Sequence, residues 1–135
     1  MLNVQALIIF QEDLQKRSFF DWISSHISGS LPPHRYIGNL ELTDKCMRFA
    51  GYDSQQKCHA EFLMMKERIL EVYHGYDKVY NIFQTRGLGL TWAPVRLKFT
   101  DDGDDTKVVY FITGYTILGT TNKDFYNFLR EWLSS

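Results

Sequence analysis

The chain has 135 residues, 44% of them apolar, with 15 basic against 16 acidic side chains. That length suits a single domain with one ordinary core, and the balanced charge lacks the basic excess of a general nucleic-acid binder. The apolar run 6–10 is far shorter than the roughly 20 residues that span a bilayer, and no basic segment or cleavage site accompanies it, so the expectation is a cytoplasmic chain without a transmembrane segment.

In chain order, residues 2–10 (LNVQALIIF) are apolar and β-branched toward their end, and suit either a strand or the first turns of a helix. Over 11–27, Phe19, Trp22, Ile23 and Ile27 fall near one helical face. Glu12 and Asp13 open that stretch and His26 closes it, which suits the helix dipole, so an N-terminal helix is expected there. Gly29 and Pro32-Pro33 end it. Residues 36–43 alternate, with Leu40 and Leu42 inward and Asn39, Glu41 and Thr43 outward, as in a half-buried antiparallel strand. Asp44-Lys45 reads as a two-residue turn into a return strand over 46–52, with Met47 and Phe49 on one face.

After the polar turn 53–56, a third strand is expected over 59–66, where the run Phe62-Leu63-Met64-Met65 suggests cover on both faces or a nearby helix. A fourth strand is expected over 69–76. Residues 77–92 fit a strand or a turn and a half of helix, with Gly87 and Gly89 marking a bend or bulge. Residues 95–99 alternate apolar and basic, 101–105 form an acidic hairpin turn, and 107–113 return. At the end Phe125, Phe128, Leu129 and Trp132 make an aromatic helical stripe over 122–133. Thr121 or Asn122 is its N-cap, and its apolar face should lie across the sheet.

A series of antiparallel strands closed by one amphipathic helix resembles the pleckstrin-homology-like (PH-like) superfamily. The stretch Gly38-Asn39-Leu40-Glu41-Leu42-Thr43-Asp44-Lys45-Cys46-Met47-Arg48-Phe49 is similar to the G-x-L-x-L-T-(D/N)-x-x-(apolar)-x-F hairpin of GRAM domains and bacterial PH-like domains. Ile69-Leu70-Glu71-Val72-Tyr73-His74-Gly75 is similar to a later I-x-x-V-x-x-G strand of that group. The likeness covers about 36–134, with the first 35 residues outside it or forming a variant N-terminus. It implies an α+β fold, an antiparallel barrel capped by the C-terminal helix, with an extra N-terminal helix here. It implies no catalysis and no cofactor. Phosphoinositide-binding PH domains crowd basic residues into the first hairpin loop, whereas this turn offers Lys45, with Arg48 beyond it and Asp44 beside it.

No catalytic or metal constellation stands out. The four histidines are scattered, and Cys46 and Cys58 stand alone as reduced thiols that do not face each other. The turn 101–105 lacks the ligand spacing of an EF-hand, and Arg86-Gly87-Leu88-Gly89 lacks the G-K-(S/T) of a phosphate loop. The expectation is therefore a non-enzymatic binding or scaffolding module that contacts a protein partner or a second copy of itself. Tyr73, Tyr76, Tyr80, Phe83, Arg86 and Trp92 form a candidate partner surface, because aromatics with an Arg are typical interface anchors, although the same rings also suit the core. The alternative is peripheral binding of anionic lipid by outward Lys45, Arg48, Arg96 and Lys98, with Lys66 and Arg68 beside them if the strands align.

Overall fold

The computed structural model describes residues 2–16, 32–81, 92–116 and 118–135. Seven strands form one antiparallel sheet: β1 (Leu2–Phe10), β2 (Tyr36–Leu42), β3 (Cys46–Asp53), β4 (Cys58–Met65), β5 (Ile69–His74), β6 (Val95–Thr100) and β7 (Thr106–Thr113), in the order β4-β3-β2-β1-β7-β6-β5. Helix α1 is Gln11–Gln15 and helix α2 is Asn122–Ser134. α1 ends at Gln15 with Lys16 as its cap, and residues 17–27 of the helix expected over 11–27 lie outside the described residues.

The N-terminal segment that the resemblance left out is the middle of the sheet. β1 pairs with β2 on one side (Val4↔Leu40) and with β7 on the other (Ile8↔Phe111). The order also forces the sheet to curl. β4 and β5 are its two edges, six strand spacings or about 29 Å apart if it were flat. Only the 3-10 turn Lys66–Arg68 joins them, and three residues cannot reach that far. The sheet therefore bends into a half-barrel whose edges approach at this corner.

Gly38 and Gly51 face each other across β2 and β3. A Cβ on Gly38 would sit 2.4 Å from the Ala50 carbonyl oxygen and 2.6 Å from the Gly51 Cα. The glycine that opens the hairpin motif is thus where two backbones close on each other inside the bend, an approach that any side chain blocks.

Alternation then sorts the side chains. Ala6, Ile8, Tyr36, Leu40, Leu42, Met47, Phe49, Val95, Leu97, Val109 and Phe111 fill the concave side, and α2 closes over them with Phe125, Leu129 and Trp132. Fully burying one such side chain stabilises by about 1.5–3 kcal/mol. Phe125 meets Phe111 edge-on at 5.8 Å between ring centres. At the far end of the helix the Trp132 indole N–H donates to the Thr43 carbonyl at 2.7 Å, which ties α2 to the β2–β3 turn. Asn122 does not act as a simple cap. Buried at the start of α2, it accepts from the Thr113 N–H at 2.7 Å and donates to the Ala93 carbonyl at 2.9 Å.

The convex side carries a second apolar cluster of Leu7, Ile9, Leu14, Tyr80, Tyr110 and Ile112. The strands covered on both faces are therefore β1, where 6–9 are all buried, and β7, where 109–113 are all buried, and not the run 62–65. On β4 Phe62 and Met64 turn inward while Leu63 is 63% exposed. Among the described residues no helix is long and apolar enough to cross a membrane.

Candidate interaction surface

Asp77 organises the segment that follows β5. One carboxylate oxygen accepts the N–H groups of Val79 (2.9 Å) and Tyr80 (2.7 Å) and shapes the turn. The other accepts the Tyr110 hydroxyl at 2.8 Å and Arg96 at 3.0 Å. Burial opposes the Asp77 charge, but the hydrogen bonds from Tyr80, Tyr110 and Arg96 outweigh it and hold the carboxyl below its usual range. Burial pushes the Tyr110 hydroxyl up, and its bond to Asp77 adds to that. The turn lays Tyr80, fully buried, against Tyr110 at 5.2 Å.

The aromatic candidates therefore divide. Tyr80 is core, as its 0% exposure leaves nothing for a partner to touch. Tyr76 is half-buried beside it. Tyr73 is 39% exposed, donates to the Tyr76 carbonyl at 3.2 Å and lies under the Arg96 guanidinium at 4.6 Å. Trp92 is half-buried against Tyr115 at 5.5 Å. Phe83 and Arg86 lie outside the described residues. What is described of this segment mainly covers the convex face of β1 and β7 and is not one open aromatic surface.

The basic candidates do not converge along the sheet. Arg48 stands on β3 and Arg96 and Lys98 on β6, with β2, β1 and β7 between them, about 19 Å along the sheet. Arg96 is held by Glu71 at 2.9 Å as well as by Asp77. Arg48 pairs with Glu61 at 3.4 Å. Lys66 donates to the carbonyl and hydroxyl of Ser135 at 3.0 and 2.8 Å, and its ammonium lies 5.5 Å from the centre of the Trp132 ring. Arg68 donates to the Asp101 carbonyl at 2.7 Å. Four of the six bases are thus engaged within the fold, while Lys45 projects from the β2–β3 turn.

Arg35, like Asp77, is a hub that went unseen in the sequence. Arg35 bridges Asp13 of α1 at 3.2 Å and Asp53 of β3 at 3.0 Å, pinning α1 to the end of the β2–β3 pair. The bond from Arg35 holds the Asp53 carboxyl below its usual range. A cleft of about 450 Å³ beside them is lined by Ile9, Asp13, Lys16, His34, Arg35, Ser54 and Gln55. His74, packed against Tyr126 at 5.7 Å, has a buried Nε2 without a hydrogen-bond partner among the described residues.

The best-built open feature is the β4 edge. In a two-residue hairpin the residues flanking the turn bond each other, and here the Thr43 N–H donates to the Cys46 carbonyl at 2.9 Å. Alternation then points the backbone groups of 47, 49, 51 and 53 toward β4. Their partners are Met64, Phe62, Ala60 and Cys58. The N–H and C=O groups of His59, Glu61 and Leu63 consequently point away from the sheet, on an eight-residue strand that has no neighbouring strand beyond it among the described residues. On the convex side this edge carries exposed Leu63 and, one strand in, exposed Tyr52. Arg48, His59 and Glu61 lie between them, with Glu61 within 3.4 Å of both bases. β5, the other edge, is six residues long and packs beside α2. Cys46 and Cys58 are free and do not face each other, since they pair with Met65 and Asp53. No protein-family model matches this chain, and no curated protein matches it.

Proposed function

We propose that the chain is a PH-like, non-enzymatic binding module that contacts protein, and that β4 is its contact edge. The strand order β4-β3-β2-β1-β7-β6-β5, the closing helix α2 and the Gly38 hairpin support the PH-like part of this reading. The observation that carries the contact site is the outward backbone of His59, Glu61 and Leu63. Unpaired strand groups are a template for an added strand, with main-chain hydrogen bonds supplying affinity and alternate side chains supplying specificity.

The ion pairs of Arg48 with Glu61 and of Arg96 with Glu71 and Asp77 favour protein over lipid, because a base already neutralised has less charge to offer a membrane. Vesicle flotation with and without phosphatidylserine tests the choice. The expected result is no flotation with either vesicle. Flotation on anionic vesicles that weakens with salt, and is lost in Lys45→Ala/Lys98→Ala, overturns it in favour of a lipid-binding module.

A further inference from the structure

The β4 edge has a sequence that complements itself, and we infer that the strand it takes is β4 of a second copy, in one particular register. This rests on the binding-module reading above and names its partner.

Two copies joined across a two-fold axis pair their β4 strands antiparallel. Outward-pointing residues must then meet outward-pointing residues, so 59, 61, 63 and 65 of one copy face members of the same set in the other. Two such registers use most of the strand. The first sets Glu61 against Glu61 of the second copy, and like charges directly opposite each other are destabilising. The second shifts the pairing by two residues. Glu61 then faces Leu63, His59 faces Met65, Ala60 faces Met64, and Phe62 faces Phe62. These pairings leave no like charges opposed.

The charges flanking the second register also fit. Arg48 stands beside Leu63 on β3, and Ala50 beside Glu61. Across the interface one row therefore runs Arg48, Leu63, then Glu61 of the second copy, and the neighbouring row runs the reverse way. Each Glu61 lies between its own Arg48, 3.4 Å away, and Arg48 of the other copy, reached over the flat, exposed Leu63. The two Phe62 rings meet at a non-hydrogen-bonded position, where side chains approach most closely and aromatic pairs contribute. Four bonded residue pairs supply about eight backbone hydrogen bonds. The edge contains neither proline nor lysine within its eight residues and no bulge, the devices that usually prevent such pairing.

The experiment is light scattering and sedimentation of the full chain over a concentration series, with two variants. Glu61→Pro removes an N–H that points away from β3, so the monomer's ladder keeps all its bonds while the edge loses a donor. Leu63→Glu sets like charges directly opposite each other at both Glu61–Leu63 pairs of the proposed register. The expected result is a dimer, twice the 15.9 kDa chain mass, that Glu61→Pro and Leu63→Glu each convert to a monomer with unchanged circular dichroism. If Glu61→Pro fails to fold, Leu63→Glu alone decides. A wild-type chain that stays monomeric throughout the series overturns the self-pairing, and so does a dimer that a folded Leu63→Glu leaves intact. Vesicle flotation distinguishes this failure from failure of the underlying reading. A monomer that ignores anionic vesicles loses only the identity of its partner, whereas salt-sensitive flotation removes the protein-contact reading itself.

Discussion

Replacing Asp77 tests whether the post-β5 segment is part of the core. Its carboxylate accepts four donors: two backbone N–H groups, a buried tyrosine hydroxyl and Arg96. A bond to a charged group contributes about 1.5–3 kcal/mol where it is shielded. The Arg96 bond counts for less, since that side chain is partly exposed and keeps Glu71. Asp77→Ala is therefore expected to cost about 3–5 kcal/mol, because it also releases the turn that seats Tyr80. Asp77→Asn keeps the oxygen that accepts Val79 and Tyr80 but puts an NH2 in place of the one that accepts Arg96 and Tyr110, where only the Tyr110 hydroxyl can turn to accept, for about 1–2 kcal/mol. At about 3–4 °C per kcal/mol for a chain of this size, the melting temperature falls by about 9–20 °C for Ala and about 3–8 °C for Asn. Urea titration supplies the free energies and the calorimetric scan the temperatures. An Ala variant within about 1 kcal/mol of wild type refutes the hub and returns Tyr76 and Tyr80 to the status of a loosely attached surface segment.

His74 is held below its usual range by burial, with a backbone bond at Ala93 opposing the shift and Lys123 adding to it. The unfolded chain then binds the proton more readily than the folded one, so stability is expected to fall as pH drops below about 6.5. His74→Phe should flatten that limb in a pH series of urea midpoints, and an unchanged limb counts against the assignment. A separate acid limb, below about pH 4, is expected from Asp53 and Asp77, whose lowered pKa values make their stabilisation disappear as they protonate. Gly38→Ala forces a Cβ into the Ala50 carbonyl and should cost about 1–3 kcal/mol or more, read from urea midpoints, whereas Gly103→Ala in the open β6–β7 turn should be close to neutral. Trp132→Phe breaks the bond to the Thr43 carbonyl and should cost about 1–3 kcal/mol, and faster exchange of amides in the β2–β3 turn should accompany it.

Much of the fold was legible because period-2 alternation records which face of a strand meets the core. Leu40, Leu42, Met47 and Phe49, and Val95, Leu97 and Phe99 across the sheet, all turn inward as their spacing required. The α2 stripe was equally plain, since one helix needs only its own sequence to mark the face it buries. What alternation does not record is which strand lies beside which. β1 pairs with strands about 30 and 100 residues away, so its place at the centre, and its burial on both faces, depended on distant partners. The same holds for Asp77 and Arg35, each an ordinary residue in its own stretch that becomes a hub only when sequence-distant strands stand side by side.

The candidate site was least legible for the same reason. Lys45, Arg48, Arg96 and Lys98 look alike as outward bases. Whether they add up to a patch depends on the three strands between β3 and β6 and on the acids that tertiary contacts bring to Arg48 and Arg96. An edge strand likewise carries no mark of its own, because its backbone is the same as that of a central strand. The sequence by itself determined the strands from β2 to β7, the inward faces of β2, β3 and β6, and the final helix, since these follow from local periodicity. Only the tertiary structure decided that β4 is left at the border with His59, Glu61 and Leu63 facing outward, because being last in a sheet is a property of the strand order and not of any residue.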